Sequence, residues 1–411
     1  MNGTKRILYL ITGTLIMLLA GTVYTWTIIS RSVSATFPDW SASALSMTFT
    51  FTMMFYAVGG LVSGMLLRRT GPRVTLAAAA LLFPGGMLLS SLAQTPVPLY
   101  LGFGIMCGMA AGLSYNTVVS VISAWFPDKK GVTSGILLAG FGLSSFIAGK
   151  LFAAFAPADG SRAWASGLRL LALLMLAALI LGIALLHFPA PHETVSASSS
   201  RKKETRPPAS DMTTGEMLRT SSFWFSYAWV SMLTACGLIL VSQASGIAAE
   251  TNSAVPGSTV ATAVGMISVM NAAGRICTGL LFDRFGYRMT MLLITVSFGI
   301  SAVLMLLALP AGSFPLLTAG FMLGGFAYGG NASIIPPIIA DFYGPSYYAA
   351  NLSLIPTNVI FTSFASVLAG RIYDRTHSYM GALILLLGAV ILSAVLLIFL
   401  RRPGERRRKN G

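Results

Sequence analysis

Charge is scarce in this chain. Only 9% of its 411 residues are charged, against about a quarter in a soluble domain. That scarcity, with 55% apolar residues, excludes a water-soluble globule and points to a polytopic membrane protein. Acids are the scarcer sign, with 12 against 27 Lys and Arg. Cysteine is nearly absent: Cys107, Cys236 and Cys277 all fall in apolar runs. They are expected to be small core residues, which excludes a disulfide framework or a metal set. The histidines, His187, His192 and His377, lie near run ends or in loops. No nucleophile–base pair or metal-ligand cluster forms around them, so an enzyme is disfavoured and no metal or cofactor is expected. A glycine-rich phosphate loop is also lacking, which argues against a primary pump.

What the chain has is apolar length. Spanning a core of about 30 Å takes about 20 residues. Twelve runs qualify, at approximately 7–29, 43–67, 74–93, 97–124, 132–155, 165–188, 221–249, 259–282, 289–309, 315–340, 348–372 and 379–400. The first is too long for a signal-peptide core and reads as a retained helix. Residues 189–220 break the pattern, being polar, basic and rich in Ser and Pro. They read as a linker between two six-helix halves, 1–188 and 221–400, with a basic tail at 401–411.

The basic residues orient the chain. With the N-terminus in the cytoplasm, 20 of the 27 Lys and Arg fall on cytoplasmic segments. Arg31, Arg162, Arg169, Arg371 and Arg375 lie at or near outer loops, and Lys150 snorkels from the outer end of the fifth span. The net charge of +15 is therefore topological, and nucleic acid is not an expected partner. The tail acts as a stop signal or touches anionic lipid. Localisation in the cell (inner) membrane, with both termini cytoplasmic, follows.

The halves repeat. Gly64, Arg68, Arg69, Gly71 and Arg73 follow the second span, and Gly279, Asp283, Arg284, Gly286 and Arg288 follow the eighth, at an offset of 215 residues. Ala124 and Phe126 after the fourth span match Ala340 and Phe342 after the tenth at an offset of 216. Two independent landmarks thus give nearly one spacing.

The loop pattern G-x-x-x-D-R-x-G-x-R, complete in the second copy, resembles the signature loop of the major facilitator superfamily. The resemblance implies an all-α fold of twelve transmembrane helices in two pseudo-symmetric six-helix bundles. It also implies a gating role for Asp283, Arg284, Arg288, Arg68 and Arg69. Arg68 stands where the family has the aspartate that pairs with a neighbouring helix end. The first-half latch must then use other partners. A narrower resemblance rests on Gly21, Tyr24 and Trp26, on the run from Trp125 to Gly131, on Gly140 and Gly142, on Asn271, Gly274 and Arg275, and on Tyr328, Gly330, Asn331 and Asp341 to Gly344. These are similar to the oxalate/formate antiporter family and, more distantly, to proton-linked monocarboxylate transporters.

One charge does not fit the topology. Arg275 stands eight residues before Asp283 inside the eighth span, roughly 12 Å from its end. Arginine at such depth costs about 3 kcal/mol. Its planar fork matches a carboxylate with two parallel hydrogen bonds and stays charged at physiological pH. The plainer role is a salt bridge to a buried acid, yet none of the 12 acids falls in the middle of a span. A ligand carboxylate is therefore the expected partner. Asn271, four residues earlier, shares the helix face and would orient the guanidinium, bond the substrate, or make an ordinary interhelical bond. Tyr115 and Tyr328 sit inside the fourth and tenth spans, where the resemblance places the substrate path; core packing is the alternative. Tyr24 and Trp26 are weaker candidates of the same kind, and Asn331, Thr357 and Asn358 would add polar contacts.

The oxalate carrier of the resembling family has a second basic residue in the eleventh span. Here Leu354 to Val359 is uncharged. One fixed charge suits one carboxylate, so lactate, pyruvate or formate is expected over oxalate. Protons are a further partner if transport is symport, travelling with the substrate or through Glu250; exchange needs no relay. A monomer in lipid is expected. The competing class is a sensor binding an anion on the same fold without net transport.

Overall fold

The computed structural model describes residues 3–40, 42–155, 162–189 and 211–403. Most of the linker and the tail beyond 403 thus lie outside the described residues. The helices are α1 (Gly3–Ala20), α2 (Trp26–Thr36), α3 (Ala42–Ser91), α4 (Pro96–Leu99), α5 (Gly108–Trp125), α6 (Lys130–Phe155), α7 (Ala163–Leu185), α8 (Thr214–Leu218), α9 (Ser221–Thr251), α10 (Gly257–Ala311), α11 (Phe314–Tyr343), α12 (Tyr348–Ser353), α13 (Asn358–Thr362), α14 (Phe364–Thr376) and α15 (Met380–Phe399).

Nine described helices are long and apolar enough to cross a membrane. Two of them carry apolar stretches of 45 and 50 residues, Met47–Ser91 in α3 and Thr262–Ala311 in α10. Each is about twice the length that a bilayer core needs. The backbone turns at Gly71 and Gly286, both at φ 78°, where only glycine enters without strain. Each long helix is therefore two passes. With the thirty residues of α11 as another, the protein is an all-α membrane protein of twelve spans. The turn glycines belong to the two signature loops, so the local motif makes the fold reverse.

Two spans are less regular than their apolar runs suggest. The first contains a 3-10 turn, Gly21–Thr25, between α1 and α2. The eleventh breaks into α12, a 3-10 turn at Ile355–Thr357, α13 and α14. Pro356 sits in that break and has no N–H to give the helix ladder. In the fourth span, Tyr100–Cys107 winds as a π-helix between α4 and α5. There Gly102 approaches α3 so closely that a Cβ would lie 2.4 Å from the Gly86 carbonyl oxygen. The outside is apolar, as lipid requires: Leu81 is 78% exposed and Ile398 71%. Cys107 and Cys236 are buried, but Cys277 is exposed beside Ile276 and Leu280. The expectation of a core residue fails there, because α10 turns that face outward.

Contacts sort the described residues into two compact units. The first takes in those of Met1–Asp128, Gly140–Arg206 and Tyr348–Thr357. Phe83, Phe103, Phe152 and Trp164 are fully buried in it. The second takes in those of Lys129–Ala139, Pro207–Tyr347 and Asn358–Gly411. Its core holds Trp229, whose indole N–H donates to Thr295 Oγ1 at 3.0 Å, with Phe298 and Phe321. The first turns of α6 therefore pack with α10, and α12 packs with α3.

Candidate functional site

Arg275 projects from α10 three turns before Gly286 and is half-buried. Its Nε donates to Asn271 Oδ1 at 2.9 Å, one helical turn away. Its Nη1 donates to the Leu138 carbonyl of α6. The acceptors in these two bonds are neutral oxygens. A third backbone, α11, fixes the height of this pair. A Cβ on Gly329 would lie 1.9 Å from the Asn271 carbonyl oxygen, one on Gly325 2.4 Å from that of Ile267, and one on Gly274 2.0 Å from that of Phe326. Small residues let two backbones meet, as in many membrane helix pairs. The Thr278 and Ser333 hydroxyls, 2.8 Å apart, close the same seam one turn further on.

A second cluster in this unit joins α9, α11 and α13. Asn331 is buried and its Nδ2 donates to Thr234 Oγ1 at 3.0 Å and to the Val230 carbonyl at 3.3 Å. Asn358, also buried, donates to the same Thr234 oxygen at 3.4 Å. The Asn331 Oδ1 has no hydrogen-bond partner among the described residues. Tyr328, one turn before Asn331, is half-buried with its ring on Gly237, where a Cβ would meet it at 2.0 Å.

The first unit holds an aromatic cluster. Tyr115 lies edge-on to Tyr56 and to Phe141, with centroids 5.8 Å away in both pairs. Tyr24 meets Phe141 edge-on at 5.5 Å. Edge-to-face geometry sets the positive ring edge on the negative face. Trp26 is only 3% exposed; its indole N–H donates to the Leu45 carbonyl at 3.0 Å and its ring packs on Phe103. The Thr357 hydroxyl donates within its own turn to the Leu354 carbonyl at 2.6 Å. The folded chain thus gathers Arg275 with Asn271, Asn331 with Asn358, and Tyr24 with Tyr115 around Phe141, while Trp26 is tied to the α3 backbone and Thr357 to its own turn.

The signature loops differ in what they hold. The Asp283 carboxylate accepts the Gly131 and Val132 amides at 2.8 and 2.9 Å, at the start of α6. Negative charge there satisfies orphan N–H groups and complements the helix dipole. Arg288 reaches the Leu400 carbonyl at 3.4 Å, and Arg284 lies over the Phe285 ring. Arg68 and Arg69 are exposed. The offset that pairs Asp283 with Arg68 carries Gly131 to the region of Ser346. Asp211 provides a carboxylate at that point, accepting the Ser346 amide at 3.2 Å and its hydroxyl at 2.7 Å. Asp211→Ala is expected to cost about 1 kcal/mol locally, seen as faster amide exchange at Ser346; unchanged exchange would make the contact incidental.

The sequence reading missed Leu138, Thr234, Tyr56, Phe141 and Asp211. Leu138 acts through its carbonyl, which no side-chain pattern reveals. Tyr56 was reachable, because the offset of 215 pairs it with Asn271 and pairs Gly60 with Arg275. The repeat thus puts glycine where the other half has its cation. A cleft of about 330 Å³ lined by Thr259, Thr262, Ala263, Met266, Phe314 and Thr318 contains no predicted site residue and no charge. Glu250 accepts the Ser378 hydroxyl at 2.6 Å and the Tyr379 amide at 2.7 Å, at the start of α15.

The comparisons agree with this architecture. The chain is 26% identical over 363 residues to the oxalate:formate antiporter of Oxalobacter formigenes, covering 84% of this chain and 80% of that one. It is 24% identical over 401 residues to monocarboxylate transporter 12 of Rattus norvegicus, covering 90% and 79%. Among solved structures, the proton:xylose symporter XylE superposes with a TM-score of 0.73 at 14% identity, over 98% of this chain and 97% of that one. The model of the Major Facilitator Superfamily matches residues 7–250 and 239–411. On that match, reinforced by twelve spans and two glycine-turned signature loops, the chain belongs to the Major Facilitator Superfamily, a family of membrane transporters and not of enzymes.

Proposed function

We propose that this protein is a secondary transporter of small organic anions, most of all monocarboxylates such as lactate, pyruvate or formate. It works by alternating access in the cell (inner) membrane, with both termini cytoplasmic and as a monomer. Arg275 binds the carboxylate, and Asn271 holds its fork in register. One observation carries this reading: a half-buried guanidinium deep in a membrane span, oriented through Nε by an amide one turn away. Fixing Nε leaves the fork little freedom, and a pre-oriented donor loses less entropy on binding. Asp283, Arg284, Arg288, Arg68 and Arg69 serve the gate. Tyr328, Asn331 and Asn358 are further substrate-binding candidates in the second unit, and Tyr24, Tyr115, Trp26 and Thr357 are those of the first.

The number of fixed charges supports monocarboxylates. Arg275 has Gly60 as its repeat partner, and Leu354 to Val359 carries no cation. A dianion would keep one carboxylate without a matched charge, which is costly in a low dielectric. The oxalate:formate relative favours a second reading, dicarboxylate exchange. Uptake of radiolabelled lactate, pyruvate, formate and oxalate into proteoliposomes separates the two. The expected result is uptake of the monocarboxylates with oxalate the poorest substrate. Strong preference for oxalate would overturn the assignment. A luminal pH dye in the same vesicles reports coupling: acidification with lactate entry means symport, and its absence means exchange.

A further inference from the structure

The first turns of α6 and the middle of α10 run along each other as a seam. A Cβ on Gly131 would lie 2.2 Å from the Gly279 carbonyl oxygen, and one on Gly279 the same distance from that of Gly131. One turn on, a Cβ on Gly135 would lie 2.4 Å from the Arg275 carbonyl oxygen. Asp283 closes one end through the Gly131 and Val132 amides. Arg275 closes the other through the Leu138 carbonyl. The guanidinium thus belongs both to the seam and to the anion site proposed above.

Leu138 lies inside α6, where its carbonyl is already the acceptor of a helix bond. It is a neutral acceptor, and a carboxylate bonds a guanidinium roughly twice as strongly. We propose that the Leu138 carbonyl is a stand-in for the substrate: an arriving carboxylate takes the guanidinium edge from it, and the seam between α6 and α10 opens as the anion binds. The inference rests on Arg275 being the carboxylate ligand. It makes seam closure a competitor of the anion, without contact between the anion and most of the seam.

Competition of this kind has a measurable sign. A ligand that needs a minor state binds more weakly by the fraction of that state, so whatever loosens the closed state tightens binding. Asp283→Asn weakens the far end of the seam, two helical turns from Arg275. Gly279→Ala wedges the middle by sterics alone. Each is expected to tighten L-lactate binding to the purified full-length protein by about threefold or more. In the wild-type protein, lactate should also speed amide exchange over residues 131–138. Unchanged or weaker lactate binding in whichever of the two variants folds would overturn the proposal. Loss of lactate binding in Arg275→Ala alongside that result would leave the anion site standing and remove only the coupling. Full lactate binding in Arg275→Ala would remove the site itself.

Discussion

Arg275→Ala is expected to abolish carboxylate uptake, by at least about 100-fold, while leaving the protein folded. The first part follows from the fork: each charge-assisted hydrogen bond is worth about 1.5–3 kcal/mol, and a bidentate pair has two. The second follows from opposing costs. Removing the cation relieves the roughly 3 kcal/mol penalty of a charge at this depth. It also strands Asn271 Oδ1, which now accepts from Nε at 2.9 Å, at about 1–3 kcal/mol. The two nearly cancel, so the melting temperature should move little. Arg275→Lys keeps the charge without the planar fork and should recover only part of the uptake. Proteoliposome uptake beside thermal unfolding of the same samples is the test. Uptake at the wild-type rate in Arg275→Ala would end the role assigned to this residue. A collapse of stability with the loss of uptake would make it a structural brace.

Gly329→Ala is expected to be the most damaging substitution of a residue that contacts no substrate. Its Cβ would fall 1.9 Å from the Asn271 carbonyl oxygen, which is main chain and cannot rotate away. α10 and α11 would have to separate, carrying Asn271 and Arg275 out of register. Overpacking of this kind costs about 1–3 kcal/mol or more, and a displacement of an ångström at a binding group can cost about 100-fold in rate. Gly388→Ala is the matched control, because a Cβ there meets nothing within 4 Å. It should be neutral or stabilise α15 slightly through helix propensity. A melting temperature for Gly329→Ala equal to that of Gly388→Ala would refute the close-contact argument.

Much of the fold was legible because a bilayer imposes simple rules. A run of about 20 apolar residues must cross, and a lone arginine within one stands out against an otherwise uncharged background. The turns at Gly71 and Gly286 were legible too, since the repeated loop named both. The candidate site was legible in its charged, amide and some of its aromatic members, but not in Leu138, Thr234, Tyr56 or Phe141. Thr234 carries two asparagines on one hydroxyl, yet a threonine in an apolar run has no distinguishing pattern. The broken eleventh span was hidden because hydropathy records burial in lipid and not the continuity of a hydrogen-bond ladder.

The number of crossings, the reversal points and the depth of the Arg275 cation in its span are written in the order of the residues. They follow from free energies of transfer, which sum locally along the chain. Which oxygens receive that cation is a different matter. Leu138 lies 137 residues from Arg275 in the chain, and its contribution is a backbone carbonyl that every residue possesses. Its selection depends on glycines at 131, 135 and 279 bringing two helices within touching distance, a property of packing in three dimensions.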